Sequence, residues 1–163
     1  MASKKLSIVV AMDEKGLIGR GENLPWRISE DLKLFREITT GNTVIVGRKT
    51  FESFQVMPLP NRHNIVLSRG DFTFPGVQVF GSFEDALSFA ENLNGEIFVA
   101  GGKSIYEQAL SHADRLYVSH VKGVYEGNVY FPDVNWSDFT EITYRRRNFD
   151  NFTFKLYERI SKT

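Results

Sequence analysis

Three short runs, Leu6–Ala11, Thr43–Val46 and Ile97–Ala100, are built from apolar and β-branched residues with no polar alternation. Runs of this kind have no wet face and are too short for helices, so they read as strands buried on both sides. Such strands belong to a mostly parallel sheet, because the crossovers of a parallel sheet lay helices over both of its faces. The segments between them supply those helices. Ser29 stands where an N-cap would open a helix starting Glu30-Asp31 and running to about Thr39. Arg48–Phe54 reads as a short helix. Ser82-Phe83-Glu84-Asp85 resembles a capping box opening a helix to about Asn92, and another helix follows Gly101-Gly102 through Ala109. Further strands are read at Asn64–Ser68, Val77–Phe80 and Arg115–Val121. Two alternating segments, Phe139–Arg147 and Phe152–Ile160, flank Asp150-Asn151 and predict an antiparallel pair at the edge. The expected fold is α/β, a central, mostly parallel sheet with helices on both faces.

The chain has 163 residues, about the length of one domain, and residues 1–163 are read as one. Lys and Arg number 20 and Asp and Glu number 20, whereas a general nucleic-acid binder carries a basic excess. There is no cysteine, which removes disulfides and thiolate metal sites. His63, His112 and His120 lack ligand spacing, so no metal is expected. No run approaches the ~20 apolar residues of a membrane span. Met1-Ala-Ser-Lys-Lys5 precedes the apolar run Leu6 to Met12, which meets Asp13-Glu14-Lys15 rather than a cleavage site. The reading is a cytoplasmic protein with neither a nucleic-acid nor a membrane partner.

In open parallel sheets, ligands sit beyond the carboxyl ends of the strands. The residues at those ends are therefore the candidates. Asp31 shares a helix face with Phe35 and Ile38, with Leu32 beside them. An acid in a first turn is common and is favoured by the helix dipole while it stays wet. The alternative is a desolvated carboxylate waiting for a cationic or hydrogen-bond-donating ligand. Residues 12–28, with Gly16, Gly19, Gly21 and Pro25, read as a long ordered loop, and Trp26 within it, just ahead of Asp31, either packs on the core or walls a pocket. Gly47-Arg48-Lys49-Thr50 lies at a strand end opening a helix, and Arg69 follows the next strand. Singly these are ordinary surface charges, but at successive strand ends they can converge on an anion.

Two motif matches fail on counting. Gly102-Lys103-Ser104 resembles the tail of a phosphate loop, but that loop requires glycine at position 97, where the chain has Ile97. Gly19-Arg20-Gly21 is not a dinucleotide fingerprint, because Leu24 stands in place of the third glycine. What survives at Gly101-Gly102 is a turn that lets a backbone approach a ligand closely at a helix start. Arg145-Arg146-Arg147 reads as the solvated edge of a strand.

The order of the short blocks says more than their spacing. Ala11-Met-Asp, Leu17-Ile-Gly-Arg20, Leu24-Pro-Trp-Arg27 and Glu30-Asp-Leu-Lys-Leu-Phe35 together resemble the N-terminal signature of dihydrofolate reductases. The resemblance continues through Val46-Gly-Arg-Lys-Thr-Phe-Glu-Ser53, Pro58-Leu-Pro-Asn-Arg62, Ile65-Val-Leu-Ser-Arg69, Ala100-Gly-Gly-Lys-Ser-Ile-Tyr106 and Phe131-Pro-Asp133. It implies a three-layer fold with a twisted sheet of about eight strands. It also implies reduction of 7,8-dihydrofolate to tetrahydrofolate by NADPH, in the service of one-carbon metabolism. The alternative is a reductase of the same fold acting on another pterin-like or ribityl-pyrimidine substrate. A catalytically silent nucleotide-binding module is a third reading, and Asp31 beside Trp26 counts against it.

The resemblance implies residue roles as well. Asp31 would hold the pterin through its N3–H and 2-amino group, Ser119 would bond Asp31, and Trp26 would hold a water. Leu24, Ile18 and Gly19 would belong to a loop that closes over the nicotinamide. Val9, Val10, Ala11, Leu32, Phe35, Phe54 and Leu59 would line the folate pocket, with Ala100 and Tyr106 shared between substrate and cofactor. Arg62 would pair with the α-carboxylate of the glutamate tail. Cofactor contacts would come from Ala11, Gly47, Arg48, Lys49 and Thr50, from Leu67, Ser68 and Arg69, and from Gly101, Gly102, Lys103, Ser104 and Ile105. Arg48 and Arg69 would meet the 2′-phosphate. Gly101-Gly102 matches the family's cis peptide. The implied partners are small molecules, dihydrofolate and antifolate inhibitors, and the implied state is a monomer. Phe54-Gln55-Val56-Met57 is one residue longer than in many bacterial members, and Asn61 replaces a frequent glycine.

Overall fold

A computed structural model describes residues 5–21 and 24–160; Met1 to Lys4, two residues of the 12–28 segment and residues 161–163 lie outside the described residues. In chain order the elements are β1 (Leu6–Met12), β2 (Leu17–Gly19), α1 (Ser29–Thr39), β3 (Thr43–Gly47), α2 (Arg48–Glu52), β4 (His63–Leu67) and β5 (Val77–Phe80). There follow α3 (Phe83–Ala90), β6 (Ile97–Val99), α4 (Lys103–Leu110), β7 (Arg115–Val121), β8 (Val129–Tyr130), β9 (Phe139–Glu141), β10 (Arg147–Asn148) and β11 (Phe152–Arg159).

The main sheet runs β10-β11-β7-β1-β6-β3-β4-β5, with β9 also paired to β11. From β7 to β5 every pairing is parallel, and β11 lies antiparallel on β7. The sheet is the mostly parallel one that the buried runs predict, with the antiparallel strand at its C-terminal end. Its two faces bury different partners. Ile8, Val10, Ile45, Ile65 and Val99 pack with residues of α3 and α4. Val9, Phe98, Tyr117 and Phe154 pack with Leu34 of α1, while Val44, Val46 and Val66 pack with Phe51 of α2. Alternation along each strand thus sends successive side chains to opposite helix layers. Every parallel strand ends on the same side, so the segments after β1, β3, β4 and β6 meet at one rim.

Four expectations are corrected. Ser29 is not the cap of α1. The helix starts at Ser29, the extended residue before it is Ile28, and the Ser29 hydroxyl donates to Glu30 instead. Ile28 is buried, and its carbonyl accepts from the N–H groups of Asp31 and Leu32, so the chain enters the helix on an apolar anchor. The segment 12–28 contains a strand, β2, paired antiparallel with β8 around a fully buried Leu17. Three residues are too short a run to show a period, and the pairing is set by a partner more than a hundred residues away. The helix beginning at Arg48 ends at Glu52, so Phe54 lies beyond it. The strand read as Phe139–Arg147 is interrupted by a 3₁₀ turn over Thr143–Arg145, and its two halves both pair with β11. There Arg146 folds back to Glu141 through two hydrogen bonds of 2.8 and 2.6 Å, and Arg147 reaches Glu37. The arginine run is exposed as expected, but not on one continuous strand. By contrast, Ser82 does cap α3, accepting from the Asp85 N–H at 3.2 Å.

Candidate active site

The rim formed by the strand ends opens into a cleft of about 1680 Å³. All the residues singled out in the sequence as catalytic, substrate-binding or cofactor-binding line it. Asp31, Leu32 and Phe35 come from α1, and Val9, Val10 and Ala11 from β1. Trp26 and Leu24 precede α1, and Ile18 and Gly19 come from β2. Phe54, Leu59 and Arg62 follow α2, and Leu67, Ser68 and Arg69 close β4. The last wall is Ala100 through Tyr106, after β6 and into α4, with Ser119 from β7 at the base.

Asp31 is the one acid among the described lining residues. Against it stand seven basic side chains: Arg27, Arg36, Arg48, Lys49, Arg62, Arg69 and Lys103. The register explains why Ser119 meets Asp31. Ser119 lies opposite Ala11 on the neighbouring parallel strand, on the sheet face that α1 covers. Its hydroxyl donates to Asp31 Oδ1 at 2.6 Å. Burial raises the Asp31 pKa above the usual carboxylate value, and the Ser119 bond works against that rise. Asp31 is half-buried where it lines the cleft, so it is partly withdrawn from water and still open to a ligand.

Trp26 is only 7% exposed, so both readings of it hold: it packs in the core and walls the cleft. Its indole N–H is buried without a protein acceptor among the described residues. A ring edge from Tyr125 packs on it at 5.2 Å. Tyr125 is itself tied down through its backbone N–H, which donates to Asp13 Oδ2 at 2.9 Å. Asp13 also accepts from the N–H groups of Lys15 and Leu17 at 2.9 Å each. Burial alone would raise its pKa, but the three backbone donors at Tyr125, Leu17 and Lys15 outweigh burial and hold the carboxyl below its ordinary value. Asp13 lies in the Ala11-Met-Asp block but is given no role from the sequence, and Tyr125 lies in none of the blocks, because the contact that joins them is tertiary.

At one end of the cleft, Arg62 is fixed by two bonds. Its Nε donates to the Pro60 carbonyl at 2.9 Å and its Nη1 to Thr39 Oγ1 at 3.1 Å. The guanidinium also lies 5.9 Å from the Phe35 ring centre. Burial and the like charge of Arg36 lower its pKa from the ordinary arginine value. Arg36, one turn beyond Leu32 on α1, is a second cation at this end that was not singled out in the sequence.

At the other end, two helix starts converge. Gly47 and Gly102 precede α2 and α4, and neither helix receives a capping bond from a side chain. The Gly47 N–H donates to the Gly101 carbonyl at 2.9 Å. The peptide between Gly101 and Gly102 is cis. A Cβ on Gly102 would stand 3.2 Å from Thr50 Oγ1, so the backbone here is bare and closely approached. Uncapped helix starts with Arg48, Lys49, Thr50, Lys103 and Ser104 beside them suit a pyrophosphate. The donor set fits the phosphates of a dinucleotide, and the bare glycine pair leaves room for its backbone-hugging path.

Tyr106 ties this wall to β1, its hydroxyl donating to the Val9 carbonyl at 2.9 Å. Burial, reinforced by the nearby negative charge of Asp31, pushes the phenol pKa far up, so it stays a donor. None of the histidines lines the cleft. His120 shares a 2.9 Å hydrogen bond with Tyr157, and burial, aided by Lys155, lowers its pKa to about 4. Among the described residues, no group of three or more His, Asp or Glu side chains could hold a metal, and no helix is long and apolar enough to cross a membrane.

The dihydrofolate reductase family profile matches residues 5–159. A dihydrofolate reductase of Staphylococcus haemolyticus is 36% identical over 162 residues, covering 96% of both chains. One from Haemophilus influenzae is 42% identical over 133 residues, covering 82% of each. Among solved structures, a dihydrofolate reductase from Enterococcus faecalis complexed with NADP(H) and RAB-propyl superposes with a TM-score of 0.88. It has 33% identity and covers 96% of this chain and 97% of that one.

Proposed function

Because the chain belongs to the dihydrofolate reductase family, we propose that its cleft performs the NADPH-dependent reduction of 7,8-dihydrofolate to 5,6,7,8-tetrahydrofolate. The observation that carries the reading is the lone, half-buried Asp31 held by Ser119 among seven basic side chains. A single half-buried carboxylate can accept the paired N3–H and 2-amino donors of a pterin, a two-point, charge-assisted contact. Those donors favour the ionised form, offsetting the desolvation that raises the pKa of the free carboxyl. Ser119 fixes one carboxylate oxygen, and so fixes the angle at which the ring is held.

NADPH, when bound, supplies a hydride to C6 of the pterin. Gly47 through Thr50 and Gly101 through Ile105 would hold its phosphates, and Arg48 with Arg69 would meet the 2′-phosphate. Ala11, Ile18, Gly19 and Ala100 would border the nicotinamide. The proton for N5 reaches the ring through water. Asp31 raises the basicity of N5 through the ring, and the Trp26 N–H, without a protein acceptor among the described residues, would hold the water that delivers the proton. Leu24 and the β2 segment cover the reacting edge and keep bulk solvent out. Leu32, Phe35, Phe54 and Leu59 pack the aminobenzoyl portion, and the Arg62 fork takes the glutamate α-carboxylate. The protein acts as a monomer in the cytoplasm, with dihydrofolate and antifolate inhibitors as its small-molecule partners.

The test is the loss of absorbance at 340 nm with NADPH and dihydrofolate, run in parallel with a pterin substrate lacking the glutamate. Efficient turnover of dihydrofolate with a strong dependence on the glutamate supports the reading. Equal rates on both substrates would transfer the activity to a pterin without a tail, and no turnover of either would refute it.

A further inference from the structure

Arg48 is held on two sides. Its guanidinium carbon lies 4.8 Å from the centre of the Phe72 ring, and its Nε approaches Glu52 Oε2 at 3.5 Å. Phe72 is not a lining residue of the cleft and carries no role in the reaction described above. It is itself anchored, since its ring packs edge-on against fully buried Phe51 at 6.2 Å, beneath the β3 and β4 ends. Phe72 belongs to the chain after β4, whereas Arg48 opens α2 after β3, so the contact joins two neighbouring strand ends.

The chemistry of this arrangement is directional. An aromatic ring attracts a guanidinium through its π face and uses none of the N–H donors as a hydrogen-bond partner would. The carboxylate of Glu52 approaches the inner nitrogen, Nε, rather than the outer fork. What remains for a ligand is the outer edge with its paired donors, the edge that matches a phosphate. An arginine on a half-exposed helix start would otherwise sample many rotamers and lose that freedom on binding. Contact with an anchored ring removes part of that cost before the ligand arrives.

We propose that Phe72 is a specificity-determining positioning residue, a shelf that sets the Arg48 guanidinium for the 2′-phosphate and thereby favours NADPH over NADH. The proposal rests on the reading that Arg48 meets the 2′-phosphate. Glu52 is the counterpart of the shelf, steering the inner nitrogen while leaving the fork open.

The experiment is calorimetric titration of the full chain with adenosine 2′,5′-bisphosphate and with 5′-AMP. It compares the unmodified protein, Phe72→Leu, Phe72→Tyr, Arg48→Ala and the double variant Arg48→Ala/Phe72→Leu. Phe72→Leu keeps apolar bulk but loses the ring face. It weakens the bisphosphate by about two- to fivefold, the size of a half-exposed cation–π contact, and leaves 5′-AMP unchanged. Phe72→Tyr retains the original preference, and Phe72→Leu has no further effect once Arg48 is alanine. The ratio of KM values for NADPH and NADH moves with the bisphosphate affinity. Binding of 5′-AMP reports that each variant is folded. If Phe72→Leu weakens both ligands equally, or neither, while Arg48→Ala still lowers the bisphosphate preference, the shelf is overturned and the assignment of Arg48 stands. If Arg48→Ala leaves the preference intact, that assignment falls and the proposal falls with it.

Discussion

Ser119 and Asp31, separated by 88 positions in the chain, share a 2.6 Å hydrogen bond at the base of the cleft. The bond joins a sheet strand to the helix that covers it, and it fixes the orientation of the only acid in the described lining. Several properties of the molecule depend on that one carboxyl.

Asp31→Asn removes the charge while keeping the shape. Hydride transfer at pH 7 falls by about 10²- to 10⁴-fold, the usual range for a lost acid–base group. Activity recovers in part at lower pH, as solvent protonates N5 directly. Pre-steady-state rates between pH 5 and 8 check this, and wild-type turnover at pH 7 would refute the role.

The same substitution stabilises the free protein. The Asp31 pKa is raised in the folded state by burial, so above the unfolded carboxyl value the native state binds more protons than the unfolded state. Its contribution to stability is present at low pH and is lost as pH rises through the raised folded value. The neutral amide of the variant escapes that loss. The thermal midpoint of the ligand-free variant therefore exceeds that of the unmodified protein at pH 8, and the gap closes as pH drops below the ordinary carboxyl range. A scanning calorimetry series across pH reads both limits.

Asp13 carries the opposite sign. Its folded pKa is depressed, so its stabilisation is present above the unfolded value and is lost as pH falls through the lower folded value. Asp13→Asn faces three backbone donors with one remaining acceptor oxygen, and it costs about 1–3 kcal/mol at pH 7. Urea unfolding at pH 7 and at pH 3 measures the cost and its decline toward acid.

Arg62→Ala raises KM for dihydrofolate by about 10- to 100-fold, the value of one charge-assisted contact of roughly 1.5–3 kcal/mol, with little change in kcat. Arg62→Lys recovers only part, because an ammonium cannot reproduce the planar fork. The KM for a pterin without a glutamate is unchanged in both variants, which separates tail recognition from a general disturbance of the cleft.

Gly101→Ala strikes the cofactor wall. Gly101 has φ of +119°, a region that L side chains rarely adopt, and the added methyl would lie 3.5 Å from Thr50 Cγ2. The substitution costs about 1–3 kcal/mol of stability through backbone strain and raises KM for NADPH more than KM for dihydrofolate. Thermal unfolding and the two saturation curves test it.

Much of this architecture is legible in the order of the amino acids. The buried runs at 6–11, 43–46 and 97–100 name the central strands, because a strand with both faces covered shows itself in composition alone. The site follows from a topological rule, that ligands sit at the carboxyl ends of parallel strands, and from ordered blocks that match a family. Residues whose role depends on a distant partner are not legible. Leu17 joins a strand only because Val129–Tyr130 lies beside it. Phe72 and Tyr125 are ordinary aromatics in sequence, and they matter through what they touch, Arg48 and Trp26. The turn at Thr143–Arg145 is hidden because alternation continues through it, and Asn61 takes a positive φ of 59° as a turn asparagine can.

The chain's formal charges sum to zero, yet seven cations and one anion gather round a single opening. The rest of the chain carries the compensating negative excess, with Glu52 close beside Arg48, and the lining itself is a concentration of positive charge. Polyanions approaching from solution are steered toward that lining over roughly a Debye length, about 10 Å at 0.1 M salt. Association with phosphorylated and polycarboxylate ligands therefore slows as ionic strength rises, in a protein whose overall charge balance would suggest indifference to salt.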